Sequence, residues 1–188
     1  MTSNFRNISP KRTCTKTYKS YRRFKPYLAA DFNNRCGYTD CPDFWFGGKN
    51  NFHIDHFKPF SKNPGLATEY SNLVYCCSYV NILKSNDEGD YIDPCDVDFN
   101  KHFDRAKDGT VLPKASSTEA KYMHSKLSLG LSRYKFIWKL DEMHKKKIKL
   151  QGAIDNPKNV GLKKDLLELY YDLDKEFTLY IEYLTVNQ

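Results

Sequence analysis

Two stretches of this 188-residue chain decide its fold and have to be read together: Phe52-His53-Ile54-Asp55-His56-Phe57-Lys58-Pro59, and Tyr70-Ser71-Asn72-Leu73-Val74-Tyr75-Cys76-Cys77-Ser78-Tyr79-Val80-Asn81-Ile82-Leu83-Lys84-Ser85-Asn86-Asp87. Phe52-His53-Ile54 opens a strand with Asp55-His56 at its end. Asp55 brings hard carboxylate oxygens beside His56, whose unperturbed pKa of about 6.5 suits proton transfer near neutrality. Leu73 to Lys84 is apolar enough to predict a buried helix, stopped by Ser85-Asn86-Asp87 and Gly89. On that helix Asn81 supplies a neutral oxygen, and Lys84, three residues on, shares its side as a cation for phosphate. A carboxylate and an amide oxygen on one divalent ion leave sites for water and phosphate oxygens, as Mg²⁺ prefers. A neighbouring imidazole then deprotonates a water for in-line attack on a phosphodiester.

Upstream, a short helix is expected near Pro26–Asn34, then a turn-rich stretch from Arg35 to Asn51. Gly47-Gly48 with Lys49-Asn50-Asn51 lies between Phe44-Trp45-Phe46 and Phe52-His53-Ile54, which predicts a hairpin or longer loop joining two strands. Phe60 to Ser71 is an irregular loop. Downstream, Tyr91–Cys95 and Thr110–Pro113 read as short extended pieces around a helical turn at Phe99–Phe103, and Asp108-Gly109 marks a hairpin turn. Thr118–Leu127 and Ser132–Leu150 read as helices. Leu162, Leu166, Leu169, Tyr170, Leu173, Phe177, Tyr180, Ile181 and Leu184 step by three and four, a long amphipathic helix whose stripe suits core or partner-helix packing.

At 40% hydrophobic and 28% charged, with 9 Gly and 8 Pro, the chain is neither collagen-like nor wholly disordered. No stretch is apolar enough for a membrane span, and no apolar export signal opens the chain, so the expectation is a cytoplasmic protein without membrane contact. The net charge of +7 is uneven: Arg6, Lys11, Arg12, Lys16, Lys19, Arg22, Arg23 and Lys25 hold eight positive charges with no acid before residue 31, leaving the rest at −1. Residues 1–27 therefore read as a basic arm for a polyanion, with Arg22 and Arg23 as substrate-binding candidates. Tyr18, Tyr21, Phe24 and Tyr27 interleave with those charges, either to stack on bases or to pack beneath the arm; a solvated tail is the alternative.

The Asp-His strand end, the loop, Asn72-Leu73 and the Asn81-x-x-Lys84 helix followed by Ser85-Asn86-Asp87 resemble the HNH (ββα-metal) endonuclease family. The resemblance implies an α+β fold: an HNH core over residues 28–115 with zinc-knuckle-like cysteines, then a mainly helical region over 116–188. It implies Asp55 and Asn81 as ligands of a catalytic Mg²⁺ or Mn²⁺, with Zn²⁺ or Ni²⁺ as alternatives, and His56 as general base. Asn72 becomes the residue that pins the loop carrying His56, and Lys84 a phosphate contact. The third letter of the motif is Asn here, a family variant. The longer layout is similar to HNH proteins of anti-phage defence, including Septu-type nuclease subunits that work beside an ATPase, so an ATPase subunit or a second copy joins DNA (or RNA) as an expected partner.

His53 shares a strand face with Asp55, so it either approaches the metal and scissile phosphate or serves as a hydrogen-bonded structural residue. The six cysteines of a chain without an export signal are expected as thiols. Many HNH proteins flank their site with two Cys-x-x-Cys zinc knuckles. This chain departs from that pattern: Cys36 and Cys41 are more widely spaced, and Val80 stands where the partner of Cys77 would be. A structural zinc on Cys36, Cys41, Cys77 and Cys95 is one reading, buried thiols the other. The leading expectation is a metal-dependent DNA endonuclease; the alternative is a non-catalytic, zinc-stapled nucleic-acid-binding module or a partner-docking subunit.

Overall fold

The computed structural model describes residues 2–186, an α+β arrangement of small sheets with a helical C-terminal part. Its centre is an antiparallel pair, β2 (Phe52–His56) and β3 (Leu73–Cys77), with Phe52 opposite Cys77 and His56 opposite Leu73. β3 runs directly into a short helix, numbered α2 (Ser78–Lys84). The helix expected over Leu73–Lys84 is thus half strand. Leu73-Val74-Tyr75-Cys76-Cys77 is buried along its whole length. A β-branched and aromatic run covered on both faces suits a pleated strand better than a helix.

The strand expected at Phe44–Phe46 is a 3₁₀ turn, Asp43–Phe46, and β2 pairs with β3 instead. Gly47 closes that turn at φ 85°, a left-handed conformation that costs glycine little.

A second sheet has the order β1 (Thr2–Asn4), β4 (Phe103–Ala106), β5 (Val111–Pro113), all antiparallel. The Asp108-Gly109 turn joins β4 to β5, as expected from its sequence, with Gly109 at φ 93°. β1 corrects the reading of residues 1–27 as a separate arm. Phe5 is buried with its ring 5.7 Å from Phe99 and 5.5 Å from Phe103. Arg6 is buried and donates to Gly37 O at 2.6 Å; Arg12 donates to Leu73 O and, through two nitrogens, to both Asp93 oxygens at 3.0 and 2.9 Å. Two of the eight charges are thereby spent inside the fold, where unpaired cations would be costly. Lys11, Lys19, Arg22 and Arg23 stay exposed.

The chain divides into two compact units, residues 1–131 and 132–188. The first also holds α1 (Lys25–Asp31) and α3 (Thr118–Lys126). The Ser117 hydroxyl caps α3, accepting from Ala120 N at 3.1 Å. α3 therefore belongs with the sheets, and the boundary falls after residue 131, not after 115. The second unit is two long helices, α4 (Ser132–Ile154) and α5 (Lys163–Val186), joined by a 3₁₀ segment. Phe136 meets Tyr180 and Tyr183, and Lys147 pairs with Asp174. Among the described residues no helix is long and apolar enough to cross a membrane.

Candidate functional site

The end of β2 and the start of the following loop open into a cleft of about 210 Å³ lined by Tyr21, Ile54, Asp55, His56, Pro59, Phe60, Asn81, Ser85 and Asn86. Local sequence explains this convergence. β2 carries Asp55 and His56 to its last two positions, Pro59 stops it, and α2 crosses back so that Asn81 faces the same space.

Asp55 is buried and held from behind. Its Oδ2 accepts the Tyr38 hydroxyl at 2.6 Å, and the Lys84 ammonium lies 3.2 Å from Oδ1 and 3.1 Å from Oδ2. Burial pushes the Asp55 carboxyl above the usual carboxylate range, and the Lys84 charge and the Tyr38 hydroxyl bring it back only in part.

Lys84 itself corrects an expectation. It is fully buried, and its Nζ also donates to His56 O at 2.9 Å, so it does not present an ammonium to an external phosphate. The helix starts only at Ser78, which places Lys84 at its last turn, close beneath the end of β2. Its charge anchors the two residues that line the cleft.

The His56 ring is oriented by its surroundings. Nε2 lies 2.9 Å from Ala67 O, and a carbonyl oxygen only accepts, so Nε2 carries the hydrogen and the neutral ring's lone pair is on Nδ1. Tyr21 and Phe60 flank the imidazole at centroid distances of 4.7 and 5.2 Å. Asn72 ties the two ends of the intervening loop: its Oδ1 accepts from Lys58 N at 2.8 Å, its Nδ2 donates to Lys58 O and Leu66 O, and its carbonyl accepts from Phe57 N. That bracing fixes the carbonyl of Ala67 against the imidazole.

Asn81 donates from Nδ2 to His53 Nδ1 at 3.2 Å, which leaves its Oδ1 outside that bond. His53 is exposed and spends this nitrogen on Asn81, consistent with its structural reading. Arg22 and Arg23 are exposed on the single turn Tyr21–Phe24 whose first residue lines the cleft, and the Arg23 guanidinium lies 4.7 Å from the Tyr18 ring.

Hard oxygen donors at the cleft suit a divalent ion. A carboxylate offers about four lone-pair directions. On Asp55, Tyr38 and Lys84 take those of Oδ2 and Lys84 one of Oδ1, so one remains for monodentate coordination, and Asn81 lines the same cleft. Among the described residues no three His, Cys, Asp or Glu side chains gather to hold an ion. Cys36, Cys41, Cys77 and Cys95 accordingly do not form the four-thiolate set expected of a zinc knuckle. Cys36 and Cys77 hydrogen-bond to each other. Burial pushes the Cys36 thiol up, but the bonds from Cys77 and Thr39 outweigh it and bring it down to about 6, while Cys77 is raised. Burial raises Cys41 and Cys95 to about 12 each. The Cys36–Cys41 turn is tied by guanidinium groups instead: Arg6 holds Gly37 O, and buried Arg105 holds Thr39 O at 3.2 Å along with Gly109 O and Phe5 O.

Sequence reading did not anticipate Tyr38, Phe60 or Ala67 as parts of the site. Nothing local marks Tyr38, because its contact with Asp55 forms only when the 36–41 turn folds under β2. Phe60, directly after Pro59 and four residues from His56, carried a signal of proximity that composition alone hides. No described protein family, curated protein or solved structure matches the chain.

Proposed function

We propose that the chain is a metal-dependent endonuclease of the HNH type that hydrolyses phosphodiester bonds in DNA. The observation that carries this reading is His56. Its Nε2–H is spent on Ala67 O, so Nδ1 is the basic atom of a residue that shares a cleft with a carboxylate and a carboxamide. In the reaction Nδ1 takes the proton of the attacking water, and the Ala67 carbonyl stabilises the imidazolium that results. Asp55 Oδ1 and Asn81 Oδ1 would hold the divalent ion, Mg²⁺ or Mn²⁺, which when bound offsets charge on the phosphate. Lys84 and Tyr38 keep the Asp55 carboxylate oriented, and exposed Arg22 and Arg23 attract the polyanion. The layout of residues 28–115 extends the proposal to an anti-phage defence effector acting beside an ATPase subunit.

The test is cleavage of plasmid, single-stranded DNA and RNA across Mg²⁺, Mn²⁺, Zn²⁺ and Ni²⁺ by wild type and His56→Ala. The variant is expected to lose at least about 10²-fold in rate while keeping its thermal transition. Undiminished cutting by the variant removes the catalytic assignment.

A second reading, a nucleic-acid-binding module without catalysis, is favoured by one observation: the buried Asp55 carboxylate is already paired with the buried Lys84 ammonium. It predicts salt-sensitive DNA binding, no product with any of the four ions, and no change on His56→Ala.

A further inference from the structure

We infer that the cleft beside His56 accepts an unstacked nucleobase, which makes single-stranded or locally unpaired nucleic acid the preferred substrate class. The inference rests on the nuclease reading for the phosphate's position and on separate observations for the base. The lining of the cleft is of two kinds. Asp55, Asn81, Ser85 and Asn86 are polar groups suited to an ion and a phosphate; Tyr21 and Phe60, both beside the His56 ring, are aromatic.

Both rings lie within 5.2 Å of the imidazole, the distance scale that separates a phosphate from the base of its own nucleotide. Phe60 is 52% exposed, so part of its ring is open to a ligand. Its backbone is not loose. Lys62 N and Asn63 N both bond back to Pro59 O at 3.1 and 2.9 Å, and Asn72 holds the loop at Lys58 and Leu66. An aromatic ring pre-positioned on a braced turn stacks on a base at little ordering cost. Tyr21 sits on the same turn as exposed Arg22 and Arg23, which brings backbone charge attraction next to the aromatic lining. At about 210 Å³ the cleft is below the roughly 300–1,000 Å³ of drug-sized ligand sites and suits one nucleotide unit.

The step from base to substrate class is steric. In a duplex both faces of every internal base are covered by stacked neighbours, so a ring can reach only sugars and groove edges. In a single strand a face is free, and base–aromatic stacking is tolerant of sequence because every base has a π-face. Arg22 and Arg23 attract either form; the aromatic lining discriminates between them.

The test uses the full chain as wild type, Phe60→Ala and Phe60→Trp, with one labelled mixed-sequence oligonucleotide presented alone and as its duplex. Cleavage is followed in Mg²⁺ or Mn²⁺, and binding by fluorescence anisotropy in EDTA. Wild type is expected to cut and bind the single strand better; Phe60→Ala should narrow the single-strand to duplex ratio by about ten-fold in both assays, and Phe60→Trp should restore it. Equal or faster cutting of the duplex, or equal losses on both substrates in Phe60→Ala, overturns the inference while leaving a nuclease. Single-strand preference in binding that depends on Phe60, with no cleavage of any substrate, overturns the nuclease reading and leaves the base-binding cleft.

Discussion

The β2–β3–α2 region and the α4–α5 pair are stabilised by different means. In the compact unit that holds the first, buried charges are each held by several partners: Lys84 by Asp55 and His56 O within the region itself, Arg12 by Asp93 and by Leu73 O of β3, and Arg105 of β4 by three carbonyls. In the second, none of the described side chains of α5 is buried, and Leu162, Leu167, Leu169, Tyr171, Leu179 and Tyr183 remain exposed. Lys164 pairs with Glu168 at 3.9 Å on the exposed surface of α5, and Asp174 pairs with the partly covered Lys147 of α4. A satisfied polar network in low dielectric fixes one geometry and penalises every alternative heavily. A helical stripe with half-covered apolar residues fixes a face and little else. Geometric precision in this chain is thus concentrated around the cleft, where chemistry would need it.

The sharpest way to break that contrast is Lys84→Met. It removes the ammonium and leaves a buried carboxylate facing only Tyr38, which should cost about 3–5 kcal/mol in urea unfolding. Adding Asp55→Asn should recover a substantial part of the loss, because the uncompensated charge then disappears. A cost below about 1 kcal/mol for the single variant would mean that water reaches the pair and that the network fixes nothing.

An intermediate effect is expected at Asp31, on the last position of α1. Its carboxylate accepts the Thr13 backbone N–H and hydroxyl, each at 2.6 Å, and the Tyr70 hydroxyl at 2.7 Å. Burial pushes this carboxyl up, but the bonds from Thr13 and Tyr70 outweigh it and leave it below its usual value. A depressed carboxylate pKa contributes stability that is present above the unfolded-state value and lost as pH falls through the folded-state value. Asp31→Asn should therefore lower stability by about 1 kcal/mol at neutral pH, and the gap to wild type should close on acidification. Denaturant melts at neutral pH and at a pH below the ordinary carboxylate range read this directly; a gap that widens in acid contradicts the sign.

Legibility in the sequence follows the same divide. α5 was readable because a 3.6-residue period needs no tertiary information. Leu73–Cys77 was not, since a five-residue apolar run has no period that separates strand from buried helix; only its pairing with Phe52–His56 decides. The gathering of Asp55, His56 and Asn81 at one cleft was anticipated from their chemistry, whereas the burial of Lys84 was not. A lysine late in a helix reads as a solvent-facing cation, and its Asp55 partner is 29 residues away in the chain. Arg12 misled for the same reason, its partner Asp93 lying 81 residues on. The wide Cys36–Cys41 spacing departed from a knuckle, and nothing local indicated that arginines from residues 6 and 105 would tie that turn.

The smallest effect should come from the other side of the contrast, Leu169→Ala on α5. Leu169 is 57% exposed and lines an apolar depression of about 430 Å³ with Lys146, Lys149, Leu150 and Leu173. Truncating a half-exposed leucine removes few packed neighbours, so the isolated chain should lose no more than about 0.5 kcal/mol. Alanine also has the higher helix propensity, which offsets part of the lost contact. The measurement is chemical denaturation at two protein concentrations well apart. A loss of the size seen for buried leucines, about 2–5 kcal/mol, would place Leu169 in a covered interface. A loss that also grew with protein concentration would mean that α5 is stabilised by association, and the two regions would then differ in where their partners come from rather than in how tightly they are held.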